Sequence, residues 1–195
     1  MALSANRRMT LEEYLNYEDG TDIRYEVHDG VLVEMGAESD VNVLIATFLL
    51  AMFLQQVPYY RLRNKTEIVV PSQSTDTRYP DLMVLTEAGV AALSGKKRSL
   101  ITLDMPDPAL VVEVVSPGIE NRQWNYDQKQ REYAALGIGE YWIVDPELAV
   151  VIVGILVDGQ YQLTEFRGQE RVASPTLPKL QVTADTILAA GLSGS

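Results

Sequence analysis

Three residues of this chain stand where their types are costly. Asp81 opens the apolar run Leu82-Met83-Val84-Leu85, and Glu113 interrupts Leu110-Val111-Val112-Glu113-Val114-Val115. Lys129 lies in the row Tyr126, Lys129, Tyr133, Leu136, whose spacing places it on one face of a helix. That row is otherwise aromatic and apolar, so it should face a sheet. An unpaired charge inside a buried strand costs several kcal/mol, so Glu113 requires a cation: a metal, a Lys or an Arg. If the two strands pair, Asp81 and Glu113 converge with Lys129 above them. Two carboxylates at close range repel, and one takes up a proton unless a cation separates them. Mg²⁺, a hard ion that keeps several waters, suits oxygen ligands; Mn²⁺ is the alternative. Such an ion acidifies bound water and shields charge on a phosphoryl oxygen, and Lys129 could orient the attacking water or stabilise the developing anion.

Two other readings use the same residues. In the first, Glu113 and Lys129 form a buried structural ion pair and Asp81 caps a turn. In the second, the carboxylates serve a metal-free hydrolase such as a glycosidase. The second fits poorly, because Lys129 would sit in the carboxylate site and only two tryptophans are present to line a sugar cleft.

Composition narrows the chemistry. With 195 residues and 47% hydrophobic content, the expectation is one domain, 1–195, with a sizeable core. Its core spans about 38–146, with a helix and hairpin at 9–37 and a hairpin and helix at 149–190. No cysteine is present, which excludes disulfides, thiolate nucleophiles and Cys-based zinc sites. His28 is the single histidine; beside a turn, it reads as a solvated turn residue. The net charge of −11 is awkward for a nucleic-acid binder, although the local field near a site can differ from the total. The first eight residues lack the apolar centre of a signal peptide, so a cytoplasmic location is expected.

The elements that position the three residues follow in order. Thr10-Leu11-Glu12-Glu13 is a capping box opening a short helix. Strands at 23–27 and 31–35 flank the turn Asp29-Gly30. Residues 41–56 form a helix apolar on nearly every side, too short to span a bilayer, and expected under the sheet or in a homodimer interface. The aromatic and cationic stretch 58–65 reads as a connector with a solvated face rather than as a nucleic-acid surface. Strands follow at 66–70, 78–85 and 110–115, with a long excursion at 86–108. A helix at 124–136 ends at Gly137, and a strand at 140–145 ends at Pro146. A hairpin around Asp158-Gly159 and a helix at 182–190 close the chain, and the last residues should fray. The core order is thus helix, strand, strand, strand, helix, strand. That order describes an α/β fold: a mixed central sheet flanked by helices, with hairpins that extend the sheet or cover its edges.

Within this order, Pro80-Asp81 and Glu113-Val114-Val115 resemble the PD-(D/E)XK nuclease superfamily. Arg24-Tyr25-Glu26-Val27-His28-Asp29-Gly30, Val112-Glu113-Val114-Val115-Ser116-Pro117, Lys129 to Tyr133 and Glu140-Tyr141-Trp142-Ile143-Val144-Asp145-Pro146 resemble, more closely, one bacterial family of restriction-endonuclease-like proteins. The resemblance implies the restriction-endonuclease-like fold and DNA as substrate. It implies Asp81 and Glu113 as metal ligands, the Val114 carbonyl as a third, and a lysine moved from position 115 to the following helix, which fits Lys129. This chain departs from the family at Val41-Asn42, where a histidine is frequent, and at Asn125, where an acidic residue is frequent. Glu26 and Glu38 are further candidate ligands. The leading reading is a Mg²⁺-dependent endonuclease; the alternative is a non-catalytic binding module that kept the fold. The apolar helix and the strand carrying Tyr141-Trp142 also suggest a homodimer.

Overall fold

The computed structural model describes residues 8–21 and 23–192. The expectations of a leaderless N-terminus and a fraying tail fall largely on 1–7 and 193–195, outside the described residues. Helix α1 (Leu11–Leu15) opens with the expected capping box between Thr10 and Glu13. Strands β1 (Tyr25–His28) and β2 (Val31–Glu34) pair through the Asp29-Gly30 turn, where both residues have positive φ (51° and 77°), as a tight hairpin turn requires. Helix α2 (Asp40–Phe53) is capped by the Ser39 side chain.

Two short strands follow, β3 (Leu62–Arg63) and β4 (Glu67–Val70). The single strand expected over 78–85 is two. β5 (Asp76–Arg78) pairs with β4, while β6 (Leu82–Val84) joins the central sheet. The break falls at Tyr79-Pro80-Asp81, where proline has no N–H to give to a ladder. The excursion at 86–108 contains helix α3 (Glu87–Leu93) and strand β7 (Leu100–Ile101), which pairs in parallel with β4. Then come β8 (Leu110–Val114), α4 (Ile119–Gln123), a π-helical turn (Trp124–Lys129), α5 (Gln130–Leu136) and β9 (Glu140–Asp145). The chain closes with β10 (Val150–Val157), β11 (Gln160–Phe166) and α6 (Ala184–Ala189).

The central sheet has six strands in the order β11-β10-β9-β8-β6-β3 and is mixed: β8 and β9 run parallel, their other neighbours antiparallel. The C-terminal hairpin therefore extends it. The N-terminal hairpin instead forms a separate two-stranded sheet, tied to β5 by the bond from the Val27 N–H to Thr77 Oγ1. Strand 66–70 also lies outside the central sheet, in a three-stranded sheet of order β5-β4-β7.

Alternation along β6 and β8 divides the core in two. Leu82, Val84, Leu110, Val112 and Val114 face α2 and α6, where Ile45, Leu49, Phe53 and Ile187 meet them. Met83, Leu85, Val111 and Val115 face the other way, toward Tyr133 of α5 and Ile68 and Val70 of β4. Helix α2 thus lies under the sheet, as one of its two expected placements required. Tyr141 and Trp142 are fully buried within the chain, so they offer no dimer surface. Among the described residues, no helix is long and apolar enough to cross a membrane.

Candidate active site

The β6–β8 register pairs Leu82 with Val112, and carrying it one residue further sets Asp81 opposite Glu113. Residues opposed in this way have Cβ atoms about 5 Å apart. Glu113 lies on the face of Val111, under the helical segment 119–136, and Asp81 sits in the break just before β6. Lys129 reaches down from that segment and donates to Glu113 Oε2 at 2.7 Å. The Tyr133 hydroxyl, one turn on, donates to Glu113 Oε1 at 2.6 Å. Glu113 is 3% exposed and Lys129 8%. The three predicted residues therefore meet, and all three line a cleft of about 530 Å³.

Asp81 sits where the chain leaves one sheet for the next. Its Oδ2 accepts the Val114 N–H at 2.6 Å, and no hydrogen bond reaches Oδ1 among the described residues. Burial first, and then the facing Glu113, push its carboxyl up to about 7; the Val114 N–H and Lys129 pull it back only in part. Burial works against the Lys129 ammonium, but Glu113 and then Glu26 outweigh it and hold its pKa above the ordinary lysine value. The Tyr133 phenol is held well above its usual range by burial and by Glu113, so it stays a donor.

The structural ion pair of the first alternative reading is present, yet it opens on a cleft rather than closing beneath packed hydrocarbon. The glycosidase arrangement is not supported: Lys129 bonds Glu113 within the carboxylate site. The Val114 carbonyl, expected as a third ligand, accepts the Asn42 amide at 3.0 Å. Among the described residues, no three Asp, Glu or His side chains form a ready-made cage. An ion held here would rest on Asp81, Glu113 and its own waters, as magnesium commonly does. The all-oxygen donor set, and an aspartate whose charge is opposed by its neighbour, fit a hard divalent cation.

A family model described as "Putative restriction endonuclease" (Uma2) matches residues 11–186. The chain belongs to the Uma2 family. The match takes in both hairpins and every residue of the site. Among solved structures, the chain is similar to one described as a "putative nuclease belonging to DUF820 from Anabaena variabilis ATCC 29413". Identity is 16%, coverage 94% of this chain and 99% of that one, and the TM-score 0.67, which establishes a shared fold. No curated protein matches the chain.

This Uma2 site also holds Asn42 and His28, which carried no predicted role, and the two further candidate ligands Glu26 and Glu38. Asn42 shares the buried row of α2 with Ile45, Leu49 and Phe53, and it bridges the Val114 carbonyl and Ser116 Oγ. A polar residue in an otherwise apolar inner row was the available signal. His28 is not a solvated turn residue. It ends β1, lines the cleft, stacks on Trp124 with ring centroids 5.0 Å apart, and bonds Glu26 Oε2 at 2.9 Å. Glu26 lines the cleft and accepts the Tyr79 N–H at 2.9 Å. Burial lifts its carboxyl, but His28, Lys129 and that N–H outweigh burial and hold it below the usual range. Glu38 is exposed at the rim, 3.9 Å from Arg24.

Behind the cleft wall, Arg78 forks onto Glu132 with bonds of 2.9 and 2.6 Å, and its guanidinium lies over the Trp124 ring. This fully buried pair ties β5 to α5 and so sets the height of the π-helical turn above the strands. Such turns recur at functional sites because the extra residue redirects side chains. Here the turn carries Asn125 and Lys129 into one cleft. The Asn125 side-chain oxygen is buried without a hydrogen-bond partner, while its amide nitrogen bonds the Asn121 carbonyl.

Proposed function

We propose that this protein hydrolyses phosphodiester bonds in DNA, using Mg²⁺ or Mn²⁺ held by Asp81 and Glu113. The supporting observation is that Asp81 and Glu113 line one accessible cleft, with Lys129 bonded to Glu113. A divalent ion there would acidify bound water and neutralise charge on a phosphoryl oxygen. Asp81 is fixed through one oxygen by the Val114 N–H and presents the other to the cleft. Lys129 keeps its proton beside Glu113, and the ammonium donors not spent on Glu113 orient a water or a phosphoryl oxygen. Asn42 steadies the Val114 carbonyl, which retains a second lone pair as the third ligand. Glu26 and Glu38 are supplementary ligands at the wall and rim. We include in this proposal a cytoplasmic location and a homodimer.

Incubation of supercoiled plasmid with the protein and Mg²⁺ tests the reading. Nicking or linearisation is expected for the native chain and none for Asp81→Ala; identical traces from the two overturn it. A second reading, a non-catalytic module, draws support from the Glu113 carboxylate, whose oxygens already accept from Lys129 and Tyr133. Thermal unfolding separates the two readings. A metal-induced rise in Tm that vanishes in Glu113→Gln favours the enzyme, and no rise in either protein favours the module.

A further inference from the structure

We propose that one strand of the nucleic acid reaches Asp81 through a groove between Arg24 and Lys65, and that these cations hold the phosphate next to the one cut. The inference rests on the nuclease reading above and says where the substrate backbone lies. The large cleft is an unsuitable path for a polyanion. Its mouth carries Glu34, Glu38 and Glu120, and its lysine is already paired with Glu113. Phosphates approaching from that side meet like charge.

Asp81 also forms part of the wall of a second, narrower groove of about 130 Å³ on its other flank. Here Arg24 and Lys65 offset the two lining carboxylates, Asp81 and Glu38, the second of which borders both cavities. Arg24 enters from the strand side just before β1, and Lys65 from the connection between β3 and β4. Both are exposed. Among the described residues, Lys65 makes no ion pair, and Arg24 pairs with Glu38 at 3.9 Å. Asn64 and Thr47 add hydrogen-bonding groups between the cations, and α2 supplies an apolar wall through Val43 and Ala46. A forked guanidinium and a flexible ammonium lining one groove with polar groups match a phosphate, and the apolar wall suits the sugar beside it. The stretch 58–65, read from sequence as a connector with a solvated face, thus gains a binding role through its last two residues.

The test is fluorescence anisotropy of a short fluorescein-labelled single-stranded deoxyoligonucleotide in Ca²⁺, with plasmid nicking in Mg²⁺ run alongside. Arg24→Gln and Lys65→Gln are expected to weaken binding about three- to tenfold each and to lower the salt slope by roughly one. Glu34→Gln and Glu120→Gln at the acidic mouth should bind as well as the native chain or better. Native-like affinity and salt slope in Arg24→Gln and Lys65→Gln, with nicking still dependent on Asp81, overturn the groove and leave the nuclease reading standing. Weaker binding in Glu34→Gln or Glu120→Gln moves the path to the large cleft and likewise overturns it. Neither binding nor nicking by the native chain overturns both.

Discussion

The Asp81 carboxylate accepts the Val114 backbone N–H at 2.6 Å, fastening the last residue of β8 to the break that carries Asp81 out of one sheet toward another. One oxygen therefore does structural work, while the other accepts no hydrogen bond among the described residues. Replacing Asp81 removes both functions, and the substitutions that follow are chosen to separate them.

Asp81→Asn keeps an acceptor for the Val114 N–H and removes the charge. The native Asp81 pKa of about 7 lies above the ordinary carboxylate value near 4, so the folded state binds the extra proton between those limits. Its contribution is complete below about pH 4 and is lost as pH rises through about 7. Without metal, the native chain should lose Tm over that window, and Asp81→Asn should lose less. Added Mg²⁺ should raise the native Tm more at pH 8 than at pH 6, because metal and proton compete. Scanning calorimetry at several pH values measures this, and parallel pH profiles for the two proteins would contradict it.

Lys129→Met should be severe for stability as well as activity. It leaves Glu113 buried beside Tyr133 without its cation, a situation that typically costs about 3–5 kcal/mol. Glu113→Gln combined with Lys129→Met should recover much of that loss, since no buried charge remains. Urea unfolding of both single variants and the double variant gives the coupling; additive losses would show that the pair is not linked.

Glu132→Ala should destabilise by a similar amount, about 3–5 kcal/mol, by stranding the buried Arg78 guanidinium. Arg78 also lies over Trp124. Tryptophan fluorescence should therefore shift in Glu132→Ala even below its unfolding transition, and an unchanged spectrum would show that the pair does not set the position of the π-helical turn.

Asn125→Asp places a carboxylate where a buried oxygen now lacks a partner. Without metal the variant should lose about 1–3 kcal/mol by adding a further, buried acid to an already acidic cleft. With Mg²⁺ its gain in Tm should exceed that of the native chain. Equal metal-linked shifts would place Asn125 outside the reach of the ion.

Much of this molecule is written locally in its sequence. Asp29-Gly30 and Asp158-Gly159 set both hairpins, because left-handed turn conformations select such residues. Glu113 stands out among β-branched neighbours, and Lys129 within an aromatic helical row, because burying charge is expensive enough to leave a visible mark. Tertiary structure decided what depends on which surfaces meet. Alternation assigns Ile68 and Val70 a buried face but does not name the sheet, and β4 joined β5 and β7 instead of the central strands. The split at Pro80-Asp81 and the widened turn at Trp124–Lys129 arise where two sheets and a helix are brought into register, by Arg78 on Glu132 and Asp81 on Val114. Asn42 and His28 joined the cleft for the same reason: a single polar side chain has no periodicity of its own, and its role is fixed by the partners that packing brings to it.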